Sequence, residues 1–126
     1  MISYANKSSS GKHLVCDFKD ITNKDLLNDI DGIMREMDII CNKFKYKVLE
    51  KVSHAFSPQG ITVLYLLSES HLSIHTFPEK NYMAFDIYTC RPSDDNSASE
   101  WIYHHLVDIL GARREENLMI IDRSFH

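Results

Sequence analysis

Ile61-Thr62-Val63-Leu64-Tyr65-Leu66-Leu67, His71-Leu72-Ser73-Ile74-His75-Thr76-Phe77 and Tyr82-Met83-Ala84-Phe85-Asp86-Ile87-Tyr88-Thr89 follow one another in close succession. The first is a nearly continuous apolar run, the pattern of a central strand. The other two alternate apolar and polar residues, as a strand with two different faces must. Pro78-Glu79-Lys80-Asn81 joins them and reads as a hairpin turn. Short connections of this kind pair strands antiparallel.

The pattern extends outward from these three strands. Tyr46 to His54 reads as another strand, separated from Ile61 by the Pro- and Gly-punctuated turn Phe56-Ser57-Pro58-Gln59-Gly60. His13 to Phe18 alternates and reads as the first strand. Residues 1–11 read as a flexible start. A helix is predicted from near Lys24, capped by Thr22 or Asn23, with Leu26, Leu27, Ile30, Ile33, Met34, Met37, Ile40 and Cys41 at helical spacing. Asp25, Asp29 and Asp31 lie early, where the helix dipole favours them, and Gly32 weakens its middle. After a polar loop at Ser93 to Ser97, a second helix runs from about Ser97 to Leu110 and ends at Gly111. Asn117 to Asp122 reads as a last short strand. The order β-α-β-β-β-β-α-β predicts an α+β two-layer sandwich: a mainly antiparallel sheet with two helices on one face. The other face must be solvated or buried against a second copy, and Tyr65, Met83 and Phe85 are the strand residues considered for that interface.

The chain has 126 residues, of which 44% are hydrophobic and 25% charged. That suits one globular domain spanning 1–126 and argues against disorder. A net charge of -4 gives no reason to expect a nucleic-acid partner. No apolar run approaches the roughly 20 residues of a membrane span, and the N-terminus lacks the apolar core of a signal peptide. A cytoplasmic protein is the expectation. Cys16, Cys41 and Cys90 form no CxxC pair and are expected to be free thiols.

Chemistry concentrates in Ser68 to Glu79 and Asp86 to Cys90. Strand geometry puts His71, Ser73 and His75 on one face and Ser70, Leu72 and Ile74 on the other. The antiparallel return brings Asp86, Tyr88 and Cys90 back toward the start of that strand. Several readings compete: ordinary surface hydroxyls and imidazoles, a zinc site, a Cys90–His thiol hydrolase, or a hydroxyl, thiol and imidazole that converge. A metal shared by His71 and His75 is disfavoured, because residues four apart in a strand lie about 13 Å apart. No metal is expected.

Three segments carry a resemblance: Phe56-Ser57-Pro58-Gln59-Gly60-Ile61-Thr62, Ser68-Glu69-Ser70-His71-Leu72-Ser73-Ile74-His75-Thr76-Phe77-Pro78-Glu79, and Asp86-Ile87-Tyr88-Thr89-Cys90. Together they resemble the prokaryotic, short-chain S-adenosylmethionine decarboxylase family, from Gly11-Lys12-His13-Leu14 through the second helix. The resemblance implies a chain that cuts itself between Glu69 and Ser70, giving a β chain 1–69 and an α chain 70–126. Ser70 attacks the carbonyl of Glu69, and the resulting ester is eliminated. The residue left behind becomes a pyruvoyl group, the self-made cofactor that forms a Schiff base with S-adenosylmethionine. By the same resemblance His75 takes the Cα proton during processing, Thr62 supports the processing intermediate, and Cys90 protonates the product carbon. Imidazole titrates near neutrality and an ordinary thiol near pH 8.5, so both suit proton transfer. Phe56 is expected to stack on the adenine and Glu79 to hold the ribose hydroxyls.

The resemblance further implies a homodimer with active sites at the subunit interface, and decarboxylated S-adenosylmethionine, the aminopropyl donor for spermidine, as product. Phe77 stands where the family usually has Trp or Tyr, and Arg91 follows Cys90 where Gly is common. The alternatives are a pyruvoyl-dependent decarboxylase of ornithine or arginine, and a non-catalytic regulatory relative.

Overall fold

The computed structural model describes residues 11–90, 95–115 and 118–124. The strands are β1 (Lys12–Phe18), β2 (Val48–Ala55), β3 (Ile61–Leu67), β4 (Ser70–Phe77), β5 (Tyr82–Thr89) and β6 (Met119–Asp122). The helices are α1 (Ile30–Lys43) and α2 (Ser97–Leu110). The strands form one sheet in the order β2-β3-β4-β5-β1-β6, and every adjacent pair is antiparallel. The predicted α+β sandwich with the order β-α-β-β-β-β-α-β is therefore the observed fold. Arg91 and part of the expected loop at Ser93 to Ser97 lie outside the described residues, as do Asn117 and residues 1–10.

Alternation decides which residues form the core. Leu14, Cys16 and Phe18 on β1, Ile61, Val63, Tyr65 and Leu67 on β3, Leu72 and Ile74 on β4, and Met83, Phe85 and Ile87 on β5 are buried. They pack with Ile33, Met37 and Ile40 of α1 and Ile102, Leu106 and Leu110 of α2. Tyr65, Met83 and Phe85 thus lie in the core, not on the free face considered for them. A run apolar at every position does not reveal which parity meets the helices. Tyr65 resolves it by donating its phenol O–H to Asp38 Oδ1 of α1 at 2.7 Å. Burial, with Asp38 as hydrogen-bond partner and neighbouring charge, pushes that phenol well above its usual range.

The predicted helix start near Lys24 is also corrected. Lys24–Asn28 is a 3₁₀ turn, and α1 begins at Ile30 with Asp29 as its cap. The Asp29 carboxylate accepts the Gly32 N–H at 2.9 Å. A Cβ at Gly32 would lie 2.5 Å from Asp29 Oδ2, so the glycine makes room for the cap. Thr22 and Asn23, the expected caps, instead donate side-chain hydrogen bonds to the carbonyls of Gly111 and Ile109. They tie this segment to the end of α2. Gly111 does stop α2, in the left-handed region at φ 61°.

The opposite face carries no helix among the described residues. It presents Val52, Leu64, Leu66, Phe77, Met119 and Ile121, all exposed. Polar side chains of β1, β4 and β5 occupy its middle.

Candidate active site

Ser70 opens β4 directly after a tight turn. Leu67 pairs with Ser70, which leaves Ser68 and Glu69 as the two loop residues. Glu69 takes φ 62°, in the left-handed region. A non-glycine residue there costs on the order of 1–2 kcal/mol. The peptide bond joining Glu69 to Ser70 therefore follows a strained residue at the tip of a hairpin, held by neighbours such as the Ser68 N–H on the Lys47 carbonyl at 2.9 Å. The Ser70 Oγ accepts the backbone N–H of Cys90 at 3.2 Å. Ser70 and Cys90 share a cleft of about 330 Å³ with Lys45, Tyr46, Lys47, Leu67, Ser68 and Glu69. Cys90 is half-buried and free, whereas Cys16 and Cys41 are buried.

A second group forms at the far end of β4. Thr62 and His75 face each other across β3 and β4, with Thr62 Oγ1 3.0 Å from His75 Nδ1. His54 lies opposite Thr62 on β2, and its ring meets Phe56 edge-on at 4.6 Å between centroids. Phe56 is 52% exposed, so most of its ring is free to take a planar partner. Phe77 and Glu79 lie at this same end, and both are exposed.

The structure thus brings Ser70 together with Cys90, and Thr62 together with His75, but keeps the two groups apart. Five residue steps along the strand separate Ser70 from His75, about 16 Å, and the two side chains lie on opposite faces of β4. No bend closes that gap: β4 is continuous from Ser70 to Phe77. Between the groups the open sheet face forms an apolar cleft of about 580 Å³, lined by Val52, Leu64, Leu66, His71, Ser73 and His75 among others.

A third cluster was not anticipated as a unit. Asp86 Oδ2 lies 2.7 Å from His13 Nε2 and 2.8 Å from His71 Nε2. Ser73 donates its hydroxyl to Asp86 Oδ1. Burial pushes the Asp86 carboxyl up. The hydrogen bonds from Ser73, His13 and His71, with the charge of His71, outweigh it and hold the group below the ordinary carboxylate range. His13 was invisible to sequence reasoning because its place depends on β1 inserting beside β5, which local spacing does not reveal.

Fold and site together describe a two-layer α+β enzyme with a serine and a cysteine paired at one end of its sheet. A family model described as S-adenosylmethionine decarboxylase matches residues 12–123. The chain is 37% identical over 113 residues to the S-adenosylmethionine decarboxylase proenzyme of Geobacillus kaustophilus, covering 86% of this chain and 83% of that one. It is 38% identical over 115 residues to the proenzyme of Bacillus velezensis, covering 87% and 83%. The crystal structure of the adenosylmethionine decarboxylase from Aquifex aeolicus has the same fold, with a TM-score of 0.77 at 23% identity over 93% of this chain and 92% of that one. The chain belongs to the S-adenosylmethionine decarboxylase family.

Proposed function

We propose that the chain is a single-domain proenzyme that cuts itself between Glu69 and Ser70 and then removes CO₂ from S-adenosylmethionine. The observation that carries this reading is the hairpin tip: a left-handed Glu69 followed by a Ser70 hydroxyl held by the Cys90 amide. The first step moves the Glu69 acyl group from the Ser70 nitrogen to its Oγ. Loss of the Ser70 Cα proton then expels the Glu69 carboxylate, and water replaces the nitrogen, which leaves as ammonia. The β chain 1–69 and the α chain 70–126 result.

Two features support a pyruvoyl group at this position. Ser70 is only partly buried, and it borders a cleft that also holds the Cys90 side of the sheet end. When present, the pyruvoyl group supplies a carbonyl that accepts the electrons released as the substrate loses its carboxyl group. Cys90 holds the proton that is delivered to the substrate carbon. No metal enters these steps.

His75, Thr62, Phe56 and Glu79 act in this reading from a second copy. Their distance from Ser70 within one chain supports it, as does the row of exposed apolar residues on the open face, the kind of patch that marks an interface. A homodimer with open sheet faces packed together in opposite directions would carry Thr62 and His75 of the partner subunit to the strand end where Ser70 sits, with Phe56 for the adenine and Glu79 for the ribose. The relatives named S-adenosylmethionine decarboxylase proenzyme support S-adenosylmethionine as substrate. Free thiols suit a reducing, cytoplasmic setting. No helix among the described residues is long and apolar enough to cross a membrane.

Intact mass tests the processing step: two fragments, the first ending at Glu69, are expected, and one uncut chain after long incubation would overturn it. Release of CO₂ compared across S-adenosylmethionine, ornithine and arginine tests the substrate. Turnover of either amino acid in preference to S-adenosylmethionine would reassign it.

A further inference from the structure

We propose that His13, His71 and Asp86 form a binding site for one divalent transition metal ion of the zinc class, in competition with Arg123. The site lies beside the Ser70–Cys90 pair, since Tyr88 between the two imidazoles is hydrogen-bonded to Cys90, but it uses neither residue as a ligand and does not depend on the decarboxylase reading.

Three strands build it. His13 on β1 and His71 on β4 both face Tyr88, from opposite sides of β5, and Asp86 sits two residues earlier on that strand. Both imidazoles present Nε2, and the two nitrogens and the carboxylate oxygen lie within 4.8 Å of one another. Two imidazoles and a carboxylate, with the fourth position left to water, are a set that zinc accepts. Side chains mounted on paired strands are held more closely than those on loops. Outer partners are also in place. Ser73 holds Asp86 Oδ1 and so leaves Oδ2 aimed at the imidazoles.

Arg123 decides whether the site is open. Its Nη1 lies 3.0 Å from His13 Nδ1, and its guanidinium sits over the Tyr88 ring at 5.2 Å. A guanidinium only donates. His13 Nδ1 must therefore accept, and the His13 proton lies on Nε2, pointing at Asp86. A metal on Nε2 requires the other tautomer, with the proton on Nδ1 facing an acceptor. The metal and Arg123 are thus alternative cations for one cluster: the ion enters as the guanidinium withdraws, and the His13 proton moves from Nε2 to Nδ1.

The test uses the full chain in the Cys90→Ala background, so that a thiol does not compete, with zinc chloride alone in equilibrium dialysis. One ion per chain is expected to bind saturably at micromolar concentration. Arg123→Gln puts an acceptor in place of the donor and should tighten binding about tenfold. Asp86→Asn and His71→Gln should each weaken it about 10–100-fold. His71 is exposed, so its variant guards against loss of fold, which circular dichroism checks in both. Cobalt substitution should give the intense visible bands of a four-coordinate ion. Binding absent at about 100 μM zinc would overturn the proposal. So would binding that is indifferent to both ligand variants, or unchanged or weakened by Arg123→Gln.

Discussion

The backbone N–H of Cys90 rests on the Ser70 hydroxyl at 3.2 Å, joining the end of β5 to the first residue of β4. Sheet register fixes this contact, because Tyr88 pairs with His71 and the two strands reach their ends together. The contact leaves the hydroxyl proton free to be given up while one oxygen lone pair is already engaged. Ser70→Ala removes the only side-chain oxygen at this position. It should give a single uncut polypeptide with the fold intact, seen by mass spectrometry and an unchanged circular dichroism spectrum. Cleavage at the same bond in that variant would exclude Ser70 as the attacking group.

The left-handed Glu69 makes a prediction about stability that is separate from chemistry. In the uncut Ser70→Ala chain, Glu69→Gly removes a penalty of about 1–2 kcal/mol and adds an unfolded-state entropy cost of about 0.5–1 kcal/mol. Its unfolding free energy should therefore equal or slightly exceed that of the parent. Glu69→Val places a β-branched residue at the same φ and should be the least stable of the three. Urea unfolding gives the order, and a valine variant as stable as the glycine one would contradict a left-handed turn.

The thiols should separate by reactivity and by pH. Burial, reinforced by the charge of Asp17, pushes Cys16 up to about 12 from an ordinary 9.0. Burial and Asp38, partly offset by Lys51, push Cys41 up to about 11. Iodoacetamide at pH 7.5 should label Cys90 in the folded protein and leave Cys16 and Cys41 unmodified. A raised folded value means that the unfolded chain gives up these protons first. The stability that the buried neutral thiols contribute is whole below about pH 9. It then falls as pH rises toward 11 and 12, by up to about 1.4 kcal/mol per pH unit for each thiol. Urea midpoints at pH 8 and pH 10.5 should show the drop, and Cys41→Ala should reduce its slope.

Much of this architecture is legible in the sequence because strand alternation and helical spacing are local signals. The order of elements, the turn at Pro78 and the stop at Gly111 all follow from them. What escapes is set by contacts between distant segments. The start of α1 is fixed by Asp29 capping Gly32, and the earlier acidic residues imitate the same signal. Which parity of Ile61–Leu67 is buried depends on which face meets the helices, the face on which Tyr65 reaches Asp38 of α1. The site shows the same limit. Ser70 and His75 are close in sequence, yet an extended strand carries them to opposite ends and faces of β4. Nearness along the chain suggested one site where a single copy holds two separate groups.

That separation yields the strongest test of the proposed dimer. If His75 of one subunit serves Ser70 of the other, Ser70→Ala and His75→Ala chains should each remain uncut alone. Co-expressed, they form mixed dimers in which the His75→Ala chain keeps its own Ser70 and meets an intact partner imidazole. That chain should be cut at Glu69, and the Ser70→Ala chain should stay whole, giving fragments from only one of two mass-tagged partners. Leu64→Glu with Leu66→Glu on the open face should abolish this rescue and shift the protein to monomer in light scattering, since both side chains are exposed in the single chain. Cleavage of His75→Ala on its own would remove His75 from processing. Mixed dimers that form but stay uncut would mean that each chain completes its own site, through a rearrangement of β4 large enough to span about 16 Å.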